Sequence, residues 1–128
     1  MSIANSKNIN KDAYSSADYE NWGFIYLENK DYEQALKCFQ RVTDLEPNNP
    51  KTFINLGHVY EKMDMLDSAK KCYERALDIK YDYIEAMLKI GDMLEMQGDY
   101  HNAVDIYTKA IETAPHAVEP RFCLAALY

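Results

Sequence analysis

The chain has 128 residues, of which 48% are hydrophobic and 12% aromatic, which suits a folded domain and excludes a mainly disordered chain. Its net charge is −7, and no run of Lys or Arg is longer than Lys70-Lys71. Binding to phosphate backbones requires clustered positive charge, so this composition argues against nucleic acid as a partner.

A six-residue pattern recurs every 34 residues along the chain. Its copies are NWGFIY at 21–26, NLGHVY at 55–60, KIGDML at 89–94 and CLAALY at 123–128. At about 3.6 residues per turn, each copy separates into a packing face and an outward face. Around the second copy, the packing face holds Phe53, Leu56, Gly57 and Tyr60, and the outward face holds Asn55, His58 and Lys62. The pattern predicts an amphipathic helix at each copy.

A second amphipathic helix is predicted after each of the first three copies. Glycine inside a helix costs about 1 kcal/mol relative to alanine, so Gly23, Gly57 and Gly91 need a structural reason. An alanine follows each glycine by 12 residues, at Ala35, Ala69 and Ala103. These small residues predict a close approach between the two helices, and therefore antiparallel helix pairs.

Local signals mark where these helices begin and end. Asp31, with Gln34 three residues later, predicts a capping box at the start of the second helix in the first pair. Pro47 and Pro115 are expected to close the first and third units, because proline cannot continue a helix. The boundaries of the units are thus visible in the sequence.

Together these residues resemble the tetratricopeptide repeat, a helix-pair motif of about 34 residues. The resemblance rests on Gly23, Tyr26, Ala35, Phe39 and Pro47, on Leu56, Gly57, Tyr60, Ala69, Tyr73 and Ala76, and on Gly91, Gly98, Ala103, Tyr107, Ala110 and Pro115. It implies an all-α fold, a right-handed superhelical solenoid of antiparallel helix pairs. Three units would span 16–49, 50–83 and 84–117, after a flexible tail at 1–15, and 118–128 would supply the first helix of an incomplete fourth unit. Tyr81 departs from the usual proline, and Lys30 and Asp64 replace the turn glycine that appears as Gly98.

The resemblance implies a protein-protein interaction scaffold or adaptor that binds a peptide or a partner helix in a concave groove. The outward faces of the first helices would then supply the groove residues Asn21, Phe24, Ile54, Asn55, His58, Lys62, Leu88, Lys89 and Asp92. Phe24, Ile54 and Leu88 would form an apolar floor. The amides of Asn21 and Asn55 can both donate to and accept from a peptide backbone.

One branch of the family grips the C-terminal carboxylates of chaperones with Lys, Asn and Arg side chains. The matching positions here hold Glu20, Phe24, Asn55, Glu85 and Lys89. Glu20 and Glu85 would repel a carboxylate, which argues against this ligand. The sequence is more similar to arrays in which Asn precedes the Leu-Gly of successive units, although Lys89 and Cys123 interrupt that series. A peptide groove is indicated, but not a particular ligand.

Catalytic, metal and cofactor motifs are missing from the sequence. His58, His101 and His116 lack metal-ligand spacing, and no glycine-rich phosphate loop is present, so neither an enzyme nor a cofactor site is predicted. Two interpretations of His58 stay open: it is an ordinary outward-facing side chain, or it is a pH-sensitive contact to a ligand. The three cysteines form no C-x-x-C pair and are expected to be reduced structural thiols, which favours the cytoplasm or another reducing intracellular compartment. No apolar run approaches the ~20 residues of a membrane-spanning helix, so membrane insertion is not expected.

The last seven residues, FCLAALY, are apolar on every helical face, which is typical of a buried helix. Repeat arrays usually end in a helix with a polar outer face. Two interpretations stay open: the chain is a fragment of a longer array, or another copy covers this helix. The second predicts a self-assembling structural protein, a homo-oligomer formed through Phe122, Leu124, Leu127 and Tyr128.

Overall fold

The computed structural model describes residues 14–116 and 118–127, without the side chains of Val118, Glu119, Arg121 and Phe122. This part of the chain contains no strand and seven helices: α1 (Ser16–Glu28), α2 (Tyr32–Leu45), α3 (Pro50–Lys62), α4 (Leu66–Ile79), α5 (Ile84–Met96), α6 (Tyr100–Thr113) and α7 (Val118–Leu127). The all-α fold class predicted from the sequence is confirmed. Most of the expected tail at 1–15 lies outside the described residues.

The helices belong to two compact units. The first unit extends to Pro47 and holds α1 and α2, whereas the second begins at Asn48 and holds α3 to α7. The helices α3, α5 and α7 begin at Pro50, Ile84 and Val118, which are the first residues of the predicted repeats. The repeat boundaries themselves stay a prediction.

Within each helix pair the chain reverses direction through three residues. The middle residue of each turn has a left-handed backbone, with φ of 61° at Lys30, 59° at Asp64 and 79° at Gly98. The next N–H donates back into the first helix, as Asp31 N does to Tyr26 O at 2.9 Å. This αL ending satisfies carbonyls at the end of the helix and turns the chain into an antiparallel pair. The two non-glycine residues therefore adopt the geometry that glycine has in the third pair.

Side chains cap the starts of several helices. At α1, Asp18 N donates to Ser15 Oγ at 3.2 Å and Ser15 N donates to Asp18 Oδ2 at 3.0 Å, a complete capping box. At α2, Asp31 Oδ1 accepts from the Gln34 N–H at 3.4 Å. The box predicted there is only half present, because the Asp31 N–H is used by the turn before it.

The helix glycines lie under aromatic rings of the second helices. A Cβ atom added at Gly57 would lie 2.5 Å from Cε1 of Tyr73, and one at Gly23 would lie 2.8 Å from Cζ of Phe39. The third pair has the same arrangement. The predicted close approach is confirmed. The atoms nearest to each glycine, however, belong to the ring 16 residues later rather than to the alanine 12 residues later.

A single apolar core cluster runs through the second unit. Its buried members are Ile54, Ala69, Tyr73, Ala76, Ala86, Met87, Leu88, Ile90, Met93, Leu94, Ala103, Tyr107 and Ala110. The two tyrosines keep their hydroxyls bonded: Tyr73 donates to Glu61 Oε1 at 2.9 Å and Tyr107 donates to Asp92 Oδ1 at 2.7 Å. These bonds offset the cost of burying the two hydroxyls.

The helix α7 packs inward onto this core cluster. Leu124 and Leu127 are partly buried against it, whereas Ala125 and Ala126 are exposed. Leu124 and Leu127 are therefore less open than the sequence alone indicates, because the core cluster covers part of each side chain. The side chain of Phe122 and all of Tyr128 lie outside the described residues. Self-association through α7 stays a prediction.

Candidate functional site

The first helices of the second unit, α3 and α5, place equivalent residues side by side. Lys51 and Glu85 are 34 residues apart and hold the same position in successive repeats. The Nζ atom of Lys51 lies 2.9 Å from Glu85 Oε1 and 3.1 Å from Oε2. This ion pair joins α3 to α5 on the face that the sequence predicts to bind a ligand.

Glu85 is held in its ionised form by its neighbours. Burial would raise the pKa of this carboxyl, but hydrogen bonds and charge from Lys51, with the hydroxyl of Tyr83 donating at 3.2 Å, lower it overall. Burial and the charge of Glu85 in turn raise the pKa of Tyr83 to about 12. Glu85 is thus an anion at neutral pH, and Lys51 compensates its charge.

A depression of about 430 Å³ opens along α5, and we call it the α5 depression. Its lining residues are Ile84, Glu85, Leu88, Lys89 and Asp92. Their spacing places all five on one face of the helix. Leu88 is only 9% exposed and supplies apolar surface deep in the depression. The α5 depression therefore combines apolar and charged groups within reach of one ligand.

Three basic side chains lie together beside the α5 depression: His58 and Lys62 on α3, and Lys89 on α5. We call them the basic cluster. Burial lowers the pKa of His58, and the charges of Lys89 and Lys62 lower it further, against the opposing effect of Glu61. The described part of the chain offers Lys89 no hydrogen bond or ion pair. Its ammonium group is available to a ligand.

Asp92, a predicted groove residue, is already bonded to its own helix pair. The Tyr107 hydroxyl donates to Asp92 Oδ1 at 2.7 Å and approaches Glu95 Oε1 at 3.3 Å. Burial first, and then these carboxylates, raise the pKa of Tyr107 well above its ordinary value. One oxygen of Asp92 is therefore occupied, although the residue is exposed.

The other predicted groove residues of α3 differ in burial. Asn55 and His58 are half-buried and Lys62 is exposed. Ile54 is 3% exposed and belongs to the core cluster. The expectation that Ile54 lines a ligand surface is corrected, because the neighbouring helices of the unit cover that side of α3.

Asn21 and Phe24 lie on α1 in the first unit, and both are exposed. The ring of Phe24 is 42% exposed and meets the ring of Phe39 edge to face, with centroids 5.1 Å apart. Contact with α2 thereby fixes the orientation of the Phe24 ring. Both residues stay predicted groove residues.

Sequence reasoning treated Glu85 as an uncompensated charge and missed its pairing with Lys51. The signal was available, since opposite charges at one position of successive repeats lie on neighbouring first helices. The bond from Tyr107 to Asp92 had no such signal. This bond depends on how α6 packs against α5, because that packing decides whether the Tyr107 hydroxyl comes within bonding distance of Asp92.

The described residues also bear on metal sites, membrane spans and reactive thiols. Among these residues, no three His, Cys, Asp or Glu side chains lie close enough to hold a metal ion. No helix in this part of the chain is long and apolar enough to cross a membrane. Cys38 and Cys72 carry free thiols, and burial raises the pKa of both, that of Cys72 to about 11. A raised thiol pKa makes these two cysteines poor nucleophiles.

The repeated antiparallel pairs, each with a glycine beneath an aromatic ring, define a helical repeat protein. A family model described as "Tetratricopeptide repeat" matches residues 50–116, which is more than half of the chain, and one described as "TPR repeat" matches residues 23–64. The chain belongs to the tetratricopeptide repeat family.

Solved structures agree with this assignment. The first TPR of Spaghetti (RPAP3), bound to HSP90 peptide SRMEEVD, is similar with a TM-score of 0.77 and 20% identity, covering 88% of this chain and 91% of that chain. The Sgt2 TPR domain from Aspergillus fumigatus has a TM-score of 0.77 and 21% identity, covering 88% and 76%. The MamA protein has a TM-score of 0.71 and 29% identity, covering 77% of this chain and 54% of that one. No curated protein matches the sequence.

Proposed function

We propose that the chain is a protein-protein interaction module that binds a peptide or a partner helix on the α3–α5 face of its second unit. This α3–α5 face consists of Asn55, the basic cluster and the α5 depression. One observation carries the proposal: the Lys89 ammonium beside the apolar surface of Leu88, and the Asn55 amide at the equivalent position of α3, form no bond with the described part of the chain. A peptide can satisfy both groups while covering the apolar surface.

Membership of the tetratricopeptide repeat family supports this proposal. A similar fold, the first TPR of Spaghetti, was solved bound to an HSP90 peptide. At 20% identity, that likeness supports peptide binding by the fold but does not extend to the choice of peptide. The Lys51–Glu85 ion pair also favours the proposal, because it puts equivalent positions of α3 and α5 within reach of one ligand.

A selection from a phage-displayed library of random peptides tests the function with the full chain. Synthetic versions of the enriched peptides would be titrated into isotope-labelled protein, and the amide NMR shifts would be followed. We expect the largest shifts on α3 and α5. Shifts confined to α4 and α6, or the absence of any enriched peptide, would contradict the proposal.

Substitutions on the face complete the test. The double variant Asn55→Ala, Lys89→Glu should lose peptide binding while keeping the helical circular dichroism of the wild type. Lys71 on α4 is exposed and lies outside the α3–α5 face. Lys71→Glu reverses the same charge elsewhere and should bind peptides as the wild type does.

A further inference from the structure

The anionic groups around the α5 depression are already engaged. Glu85 is paired with Lys51 at 2.9 Å. Asp92 accepts a hydrogen bond from Tyr107 at 2.7 Å, on the same face of α5. On α3, Glu61 accepts from the Tyr73 hydroxyl at 2.9 Å. The ammonium of Lys51 compensates the charge of Glu85, whereas the neutral tyrosine hydroxyls occupy one oxygen each of Asp92 and Glu61 and leave the charge of these two carboxylates in place.

The cationic groups on this face are not engaged in the same way. Lys89 and Lys62 form no ion pair with the described residues, and the charges of both act on His58, on a chain whose net charge is −7. The basic cluster is thus a place on an acidic chain where two ammonium groups lack a bonded anion, although Asp92 and Glu61 lie near it. A ligand that supplies an anion here removes the mutual repulsion of the cluster.

The apolar part of the α5 depression adds a second requirement. Ile84 and Leu88 line it one helical turn apart, and Lys89 follows Leu88 directly. A ligand covering Leu88 thus meets the ammonium of Lys89 at the same time. The matching chemistry is an aliphatic side chain adjacent to a carboxylate.

We infer that the α3–α5 face selects an acidic peptide segment, in which an internal Asp or Glu side chain pairs with Lys89 while a neighbouring aliphatic side chain packs on Leu88. This inference rests on the proposed peptide-binding function and specifies its ligand. A free C-terminus is not required. Binding a C-terminal carboxylate in the manner of the chaperone-binding branch would require a cation at position 85. That position holds Glu85, an anion bonded to Lys51.

We expect proton uptake when such a segment binds, because Lys62 follows His58 by one turn on the same face of α3. In the free protein, burial and the charges of Lys89 and Lys62 outweigh Glu61 and keep the pKa of His58 below its ordinary value. A carboxylate bound beside Lys89 cancels part of that repulsion, so the pKa of His58 rises on binding. Because the complex then holds more protons than the free protein, affinity rises as the pH falls.

Matched synthetic peptides test the inference. Each acidic peptide enriched from the library, acetylated and amidated at its ends, would be compared with its Asn or Gln analogue by fluorescence anisotropy. We expect the acidic form to bind about threefold to tenfold more tightly. The Lys89→Gln variant should bind the two forms equally, whereas Lys71→Gln should keep the preference.

The outcomes separate the inference from the function on which it rests. Enriched peptides without acidic residues, or equal binding of both forms by the wild type, would overturn the inference and leave peptide binding intact. If Lys89→Gln lowered the affinity for the acidic and the amide peptide by the same factor, Lys89 would have a structural role, and the inference would also be overturned. The absence of any enriched peptide would overturn both.

A pH titration tests the proton linkage. Affinity for the acidic form should increase between about pH 7.5 and about pH 6, the range in which histidine titrates. His58→Gln should remove that increase without removing the preference for the acidic form. An affinity that is constant or falls over this range would refute the linkage.

Discussion

Two buried tyrosines are fixed both at the ring and at the hydroxyl. The rings of Tyr73 and Tyr107 lie on helix glycines, and both residues are 0% exposed. Their hydroxyls are bonded to carboxylates on the first helix of the same pair. A ring held in this way cannot move aside without losing a hydrogen bond. Glycine is therefore required here for space, although it is a poor helix former.

Replacing Gly57 by alanine should lower the free energy of unfolding by about 1–3 kcal/mol, because the added methyl overpacks the contact with Tyr73. Helix propensity alone favours alanine over glycine by about 1 kcal/mol, so a net loss of stability must come from the contact between the added methyl and the Tyr73 ring. Urea denaturation measures the effect. In a Tyr73→Leu background, which removes the ring atoms, Gly57→Ala should cost less by at least about 0.5 kcal/mol. Equal costs in both backgrounds would show that the ring is not responsible.

The left-handed turn residues allow a second residue-scale prediction. A non-glycine residue in this conformation is strained by about 1–2 kcal/mol. Replacing it by glycine removes that strain but costs about 0.5–1 kcal/mol, because glycine loses more backbone entropy on folding. Lys30→Gly should therefore raise the free energy of unfolding by up to about 1 kcal/mol. Asp64→Gly should raise it less, because aspartate tolerates this region better than lysine.

Gly98 provides the reverse control for these turns. It has φ of 79°, and an added Cβ would meet nothing within 4 Å. Gly98→Ala therefore changes backbone strain without a steric clash. It should lower the free energy of unfolding by about 1 kcal/mol in the same urea experiment. A stabilised Gly98→Ala variant would contradict the account of all three turns.

At the scale of elements, the Lys51–Glu85 ion pair connects α3 to α5 but contributes little to the stability of the fold. The side chains are 51% and 41% exposed. Water and salt screen a pair this open, and its contribution to stability is at most about 1 kcal/mol. What the pair shows is that equivalent positions of these two first helices lie side by side.

This pair predicts a pH-dependent difference in stability. The pKa of folded Glu85 lies below its unfolded value, so its stabilisation is complete above the unfolded pKa and disappears as the pH falls through the folded pKa. Glu85→Gln should therefore lower the free energy of unfolding by up to about 1 kcal/mol at neutral pH and not at about pH 3.

Asp105→Asn is a suitable control for that experiment. Asp105 lies 3.8 Å from His101, and these side chains are 66% and 89% exposed. Removing this carboxylate should leave stability unchanged at both pH values. A Glu85→Gln effect that persists in acid would indicate lost packing rather than lost charge.

At the scale of the whole molecule, large apolar side chains remain exposed on α1, whereas the exposed described residues of α7 include only the small Ala125 and Ala126. Trp22 and Ile25 on α1 are 37% and 55% exposed. The equivalent residues of α5, Ile90 and Met93, are 5% and 0% exposed. The same repeat position is thus buried in one unit and open in the other, because only α5 is covered by the core of its own unit.

Self-association through α7 remains a prediction, and sedimentation velocity across a wide range of protein concentration tests it. Ala125 is exposed beside Leu124, so Ala125→Glu should shift the equilibrium toward monomer by placing a charge in the interface. Ile25→Lys on α1 should leave the equilibrium unchanged. The opposite pattern would move the interface to α1. A wild-type monomer at all concentrations would rule out association through either helix.

The sequence by itself determined the helices, their pairing and the places of close approach. Helical periodicity, the glycines and the turn signals act between residues near one another in the chain, so a linear pattern is enough to predict them. The 34-residue period also places Asn55 and Lys89 at equivalent positions of successive first helices. The candidate face could therefore be outlined from spacing alone.

Only the tertiary structure decided which side chains on that outline are available. Ile54 belongs to the core, Glu85 is paired with Lys51, and Leu124 is partly buried against the core cluster. Periodicity assigns a residue to a side of its own helix but does not say what covers that side. Burial and charge pairing depend on groups brought in by other helices, so they are fixed only when the helices pack.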